Sequence, residues 1–166
     1  MADAAREYIV AFRKRMIETD VARADEIVGC SDEEMARIRA INPNVAAPEL
    51  YLAFMREMGR SSGNLFAGEI ISYPECVDYQ HEFHEFADED PEFQPSRWFV
   101  FATHQGYQFY YFRDGDPRVY LHSEDEQNPF HVWESFAARL ESALENEIPL
   151  AHRRRYGDLS HRAGGE

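Results

Sequence analysis

The first half of the chain repeats its apolar residues at helical spacing. Residues 4–18 predict an amphipathic helix whose buried positions lie one, three and four residues apart, namely Tyr8, Ile9, Phe12 and Met16. Ser31 and Glu34 have the spacing of a capping box, which predicts the start of a second helix. A third helix is predicted from Pro48 to Gly59, because proline is favoured in the first helical turn and glycine after the last.

Between residues 98 and 122 the period of the pattern changes to two, which indicates strands. The predicted strands cover residues 98–103, 107–113 and 118–122, joined by turns at His104-Gln105-Gly106 and Asp114-Gly115. An earlier strand at residues 69–72 can join them. The pattern therefore predicts an α+β fold, a single domain with a mainly antiparallel sheet whose central aromatic-rich meander is flanked by helices.

The remaining segments complete the expected organisation. Further helical segments are predicted at residues 22–28, from Pro74 to about Phe86, and at residues 129–145. From Ile148 onward the chain is polar, and we expect a frayed tail. The domain layout is then an N-terminal helical extension over 1–26 packed on the domain, the domain itself over 27–147, and a polar C-terminal tail over 148–166.

The stretch WFVFATHQGYQFYYF, residues 98–112, carries eight aromatic side chains in fifteen positions. Pairing the strands by polarity predicts one sheet face made of Phe99, Phe101, Phe109, Tyr111, Val119 and Leu121. The opposite face is then made of Trp98, Gln108, Tyr110, Phe112, Tyr120 and His122. This second face is either core as well or open to a partner, and if it is open it presents Tyr110 and Tyr120 as contacts.

The chain carries 17 basic and 31 acidic residues, a formal net charge of −14. Such a surface repels nucleic acids and anionic membranes, and it attracts basic proteins. Predicted loops and turns hold the acidic residues that we expect to steer a partner, namely Asp88, Glu89, Asp90, Asp114, Asp116, Glu124 and Asp125. The only two cysteines, Cys30 and Cys76, suit a reducing compartment, and the N-terminus lacks the apolar run of a signal peptide, so we expect a cytoplasmic protein.

Candidates for catalysis are weak. His81 and His84 lie three apart on one helical face, but they lack the zinc-protease spacing and the sequence nominates no third ligand. Cys30 precedes a helix start, yet no Cys-His-Asn order accompanies it. We therefore predict no catalytic residue, no metal and no cofactor, with a metal-dependent hydrolase built on the two histidines as the minor alternative.

Several segments, taken in order, resemble the SUKH superfamily of Smi/Knr-type domains. The resemblance rests on Gly29-Cys-Ser-Asp-Glu-Glu34, on Pro48-Glu-Leu through Met58-Gly59, on Gly63-Asn-Leu-Phe66, on Phe99-Val-Phe-Ala102 with Gly106 and Tyr110-Tyr111, and on Ser135-Phe136 through Leu140. It covers roughly residues 27–145. The chain departs from the family where Gly106 is followed by Tyr107 rather than by aspartate.

The resemblance implies a domain that binds proteins and performs no chemistry. Many relatives neutralise a toxin, often a nuclease or a deaminase, encoded beside them. The leading hypothesis is an immunity protein that binds one cognate, basic toxin stoichiometrically. The alternative is a regulatory or scaffold interaction domain without a toxin partner, and the sequence leaves the oligomeric state open.

Overall fold

The computed structural model describes residues 2–157. The helices are α1 (Ala2–Glu18), α2 (Asp32–Arg39), α3 (Glu49–Met58), α4 (Glu75–Asp78), α5 (Gln80–Glu89) and α6 (Phe136–Tyr156). The strands are β1 (Ile27–Val28), β2 (Ser61–Ser62), β3 (Glu69–Ile70), β4 (Trp98–His104), β5 (Gln108–Arg113), β6 (Val119–Ser123) and β7 (His131–Trp133). Two 3-10 turns lie at Ala24–Glu26 and Pro95–Arg97.

The helices of the first half begin and end where local chemistry places them. Ser31 accepts a hydrogen bond from the Glu34 backbone N–H at 3.3 Å, and Glu34 accepts one from the Ser31 backbone N–H at 2.8 Å, so the predicted capping box is confirmed. Helix α3 follows Pro48 and ends at Gly59. Gly29 lets β1 approach α3 closely, because a Cβ there would lie 2.0 Å from the Arg56 carbonyl oxygen. The piece expected as a helix at 22–28 is instead a 3-10 turn followed by β1.

The strands β3 to β7 form one antiparallel sheet in sequence order, which confirms the predicted α+β meander. Strands β1 and β2 form a separate two-stranded ladder. Strand β4 carries an irregularity at Phe101, because Val100 pairs with Tyr111 and Ala102 with Tyr110, which leaves Phe101 without a partner opposite it. This bulge shifts the register between the two central strands.

Helices and loops cover both faces of the sheet. The larger core lies between α1, α3, α6 and one face, and it takes up Phe99, Phe101, Tyr110, Phe112, Val119 and Leu121. The smaller core lies on the other face under α5 and the loop that follows it, and it takes up Phe83, Phe93, Val100, Phe109, Tyr111 and Tyr120. The predicted faces are therefore wrong for β5 by one residue. The prediction assumed strict alternation along β4 and β5, whereas the bulge at Phe101 changes which residues of β5 share a face with Phe99 and Phe101.

The end of the chain also differs from its prediction. Residues 131–133, expected to be helical, form the edge strand β7, and α6 starts only after Ser135, whose hydroxyl accepts from the Ala138 backbone N–H at 3.1 Å. Helix α6 then continues to Tyr156, past Pro149, and buries Ala151 against the larger core. The expected frayed tail is therefore helical as far as Tyr156, and the rest of it, residues 158–166, lies outside the described residues.

Candidate partner-binding surface

The two tyrosines expected to grip a partner are both buried, and they lie on opposite faces of the sheet. Tyr110 belongs to the larger core, where its ring contacts the Arg139 guanidinium and burial raises the pKa of its hydroxyl to about 12. Tyr120 belongs to the smaller core, and its hydroxyl donates to Asp116 at 2.7 Å. The expectation of one open aromatic face bearing both residues is therefore wrong, because helices and loops cover each face.

The predicted acidic residues lie at two opposite ends of the sheet. Asp90 follows α5 and lies 2.6 Å from the Nε2 atom of His122, near the end of β6. The Glu124 backbone N–H donates to the Tyr107 carbonyl at 3.1 Å, which places the β6–β7 loop beside the β4–β5 turn. Asp88, Glu89 and Asp90 thus lie at the same end of the sheet as Glu124 and Asp125.

We call this region the acidic end. It comprises carboxylates of α5, the loop after α5 and the β6–β7 loop, which are exposed except for the partly buried Asp90, namely Glu82, Glu85, Asp88, Glu89, Asp90, Glu92, Glu124, Asp125 and Glu126. The surrounding segments carry no compensating charge. Residues 61–96 contain nine acidic residues and no Lys or Arg, and residues 119–138 contain four and none. The rest of the chain holds all 17 basic and the other 18 acidic residues, so nearly the whole net charge originates in these two segments.

The other two predicted residues, Asp114 and Asp116, lie in the β5–β6 turn at the opposite end of the sheet. Arg118 binds the Asp116 carboxylate at 2.7 Å, and its hydrogen bonds hold the pKa of that carboxyl well below its usual range. The Arg113 guanidinium lies 4.1 Å from the centre of the Tyr120 ring in the same region. Arg118 therefore balances Asp116, and Arg113 adds a further positive charge, so this turn is not part of the acidic end.

A groove of about 410 Å³ crosses the acidic end between α5 and the β4–β5 turn. Its rim carries Glu82, Glu85 and Glu89, which share one helical face because they lie three and four residues apart. Aromatic side chains form its floor, namely Phe83, Phe86 and Phe109. This combination suits a long basic side chain, whose alkyl stem packs on rings while its charged head meets carboxylates.

Two exposed aromatic residues border the β6–β7 loop, and the sequence reasoning missed both. Tyr107 is 39% exposed in the β4–β5 turn, and Phe130 is 48% exposed just before β7. The signal for Tyr107 was its position after Gly106, where the chain departs from the SUKH pattern. Exposed aromatic side chains beside charged loops are typical of protein interfaces.

His81 and the two cysteines, which the sequence offered as weak candidates for catalysis, contact other groups of the fold. His81 lies on exposed α5 and its Nδ1 atom is 2.6 Å from the Asp78 carbonyl oxygen. Among residues 2–157, no group of three or more His, Cys, Asp or Glu side chains is arranged to hold a metal ion. Burial raises the pKa of Cys30 to about 11 and that of Cys76 to about 12, so both remain neutral thiols at pH 7. In the same part of the chain, every helix is too short or too polar to cross a bilayer.

Comparison with known proteins gives one match. The model of the SMI1 / KNR4 family (SUKH-1) matches residues 29–142, which is more than half of the chain. The match spans α2, α3, the five-stranded sheet and the first part of α6, and α1 lies before it. Neither the curated proteins nor the solved structures that were searched gave a match.

Proposed function

Because the chain belongs to the SMI1 / KNR4 family (SUKH-1), we propose that it is a protein-binding domain that performs no catalysis and neutralises a cognate toxin by stoichiometric binding. Family membership confirms the SUKH assignment made from the sequence. The class of toxin is also a proposal. We propose a basic toxin domain of the nuclease or deaminase class, because such enzymes hold nucleic acid in positively charged clefts.

The observation that carries this proposal is the acidic end. A cleft built to bind phosphates attracts a surface that presents closely spaced carboxylates, and such an inhibitor competes directly with the substrate. The proposed contacts are Asp88, Glu89 and Asp90 at the end of α5, with Glu124 and Asp125 beside the β4–β5 turn. Asp114 and Asp116 take no part, because they lie at the opposite end and Asp116 is already paired with Arg118.

Short-range affinity requires apolar anchors as well as charge. Tyr110 and Tyr120 are too deeply buried to supply them. Tyr107 and Phe130 take their place in the proposal, because both are exposed and border the acidic loop. The groove beside α5 would accept a lysine or arginine side chain of the toxin between Glu82, Glu85 and Glu89.

Co-expression with the toxin encoded by the neighbouring gene tests this proposal. We expect the cells to survive, and we expect the two proteins to copurify as a complex of fixed stoichiometry that lacks toxin activity. A matched culture that expresses the toxin with the Glu82→Lys/Glu85→Lys/Glu89→Lys variant should lose viability. Survival without a complex contradicts direct inhibition, and the absence of any toxin gene beside this one favours a regulatory interaction domain.

A further inference from the structure

A second surface lies at the end of the sheet opposite the acidic end. Here a cleft of about 680 Å³ opens between the loop after α2, the 3-10 turn at Pro95–Arg97 and the β5–β6 turn. Its lining includes Arg97, Arg113, Trp98 and Asp114. The volume lies within the roughly 300–1,000 Å³ typical of small-molecule sites. Nothing in the proposed toxin-binding surface uses this cleft.

One buried side chain joins two of the segments that line the cleft. Asn42 is 6% exposed, and its amide nitrogen donates to the carbonyl oxygens of Pro95, Ser96 and Trp98 at 3.3, 3.1 and 3.0 Å. Its side-chain oxygen accepts from the Asn44 backbone N–H at 2.9 Å. The amide therefore joins the loop after α2 to the start of β4. A cleft held in this way loses little conformational entropy on binding.

The two arginines of the cleft make their polar contacts to uncharged groups. Arg97 donates to the Gln94 side chain at 3.1 Å, and Arg113 donates to the Tyr111 hydroxyl at 3.3 Å. Neither guanidinium forms an ion pair with a carboxylate within residues 2–157, in contrast to Arg118 nearby. Guanidinium groups that are held in place and not neutralised are suited to bind an oxyanion.

The remaining lining groups restrict the ligand further. Trp98 stacks on Tyr111 with ring centres 3.9 Å apart, so its indole is fixed where it lines the cleft. An indole in this position favours a planar ring. The Asp114 carboxylate repels a simple anion but accepts hydrogen bonds from an amino group. The lining thus combines two guanidinium groups, an indole and a carboxylate. We propose that the cleft binds a nucleoside monophosphate, with its phosphate on Arg97 and Arg113 and its base against Trp98.

The acidic character of the whole chain restricts the source of this ligand. A net charge of −14 repels a long polyanion much more strongly than a single phosphate group. We therefore assign the cleft to free mononucleotides, not to nucleic acid. This assignment does not depend on a toxin partner, and it can be tested independently of the proposed toxin binding.

Titration of the full-length, ¹⁵N-labelled protein tests the assignment. The ligands are AMP, GMP, CMP, adenosine, inorganic phosphate and a single-stranded hexanucleotide, and the signal is the Trp98 indole N–H, identified with the help of Trp133→Phe. We expect saturable shifts with at least one mononucleotide, and binding of adenosine or phosphate alone at least roughly ten-fold weaker. No shift at millimolar nucleotide overturns the proposal, as does equal binding of phosphate alone or tighter binding of the hexanucleotide.

A matched pair of variants separates the cleft from general charge. Arg97→Gln removes an exposed guanidinium of the cleft and should weaken mononucleotide binding about ten-fold or more. Arg118→Gln removes the same charge at the same end of the sheet but outside the cleft lining, and it should change binding less than about two-fold. Equal effects of the two substitutions would show that the ligand senses only the local charge, and the proposal would be wrong.

Discussion

Tyr107 is exposed and Tyr120 is buried, so the two tyrosines should respond differently to truncation. Tyr107→Ala should leave folding unchanged and speed dissociation of the proposed toxin complex roughly thirty-fold, the equivalent of about 2 kcal/mol for an interface anchor. Tyr120→Ala should instead lower the free energy of unfolding by about 3–5 kcal/mol, because it removes a buried ring. Surface plasmon resonance measures the first effect and urea denaturation the second. An unchanged dissociation rate for Tyr107→Ala would place the interface elsewhere.

Glu34 gives the protein a pH-dependent contribution to stability. Hydrogen bonds from Arg60, and then from the Ser31 backbone, lower the pKa of Glu34 to about 2 from its ordinary value of 4.5. A carboxyl whose pKa is lower in the folded state stabilises the fold fully above the unfolded pKa, and it loses that contribution as pH falls from about 4.5 towards 2. Glu34→Gln keeps the capping geometry but not the charge. The difference in urea midpoint between wild type and this variant should therefore be constant above about pH 5 and shrink below it.

Glu33 provides the control for this effect. Its side chain is 79% exposed and pairs with Arg37 on the surface of the same helix. Exposed pairs of this kind contribute little to stability. Glu33→Gln should therefore change the urea midpoint less than Glu34→Gln at pH 7. A difference for Glu34→Gln that stays constant down to pH 2 would contradict the role assigned to its charge.

At the scale of elements, the predictions that succeeded depend on local chemistry. The capping box before α2, Pro48 before α3 and Gly59 after it fix helix ends through backbone hydrogen bonds within a few residues. The elements that failed depend on distant contacts. Residues 131–133 have an apolar spacing that suits a helix, but they become β7 because the open edge of β6 is available for pairing.

The candidate surface shows the same division. The acidic residues could be recognised from composition, and two of their three groups do lie together. The aromatic residues that contact a partner could not be chosen from the sequence, because that choice depends on the register of β5. The bulge at Phe101 moves Tyr110 into the larger core, and no local signal distinguishes that register from its one-residue neighbour.

Helix α1 lies before the residues matched by the family model, yet it contributes to the larger core. Phe12 is 1% exposed, whereas Val10 on the same helix is 50% exposed. Phe12→Ala should lower the free energy of unfolding by about 3–5 kcal/mol, and Val10→Ala should change it by less than about 0.5 kcal/mol. Urea denaturation compares the two. Similar small effects would mean that α1 is not needed for the stability of the domain.

At the scale of the whole molecule, the location of charge should matter more than its amount. Glu82→Lys/Glu85→Lys/Glu89→Lys should slow association with a basic toxin about ten-fold or more at low salt and reduce its salt dependence. It should also speed dissociation, because lysines in the groove repel the basic side chain that the glutamates hold. Asp3→Lys/Glu7→Lys/Glu18→Lys changes the net charge equally, but at exposed sites on α1. Stopped-flow association rates at several ionic strengths compare the two variants. Equal slowing would show that only net charge steers the encounter.

Because carboxylates cluster at the acidic end and all the basic residues lie in other segments, the molecule should have an electric dipole. A net charge attracts a basic partner whatever the orientation of the approaching molecule, whereas a dipole exerts a torque that turns α5 towards the partner before contact. A larger fraction of collisions then begins near the docked orientation. A redesigned chain with the same −14 charge spread evenly over its surface would be attracted just as strongly and would dock less often.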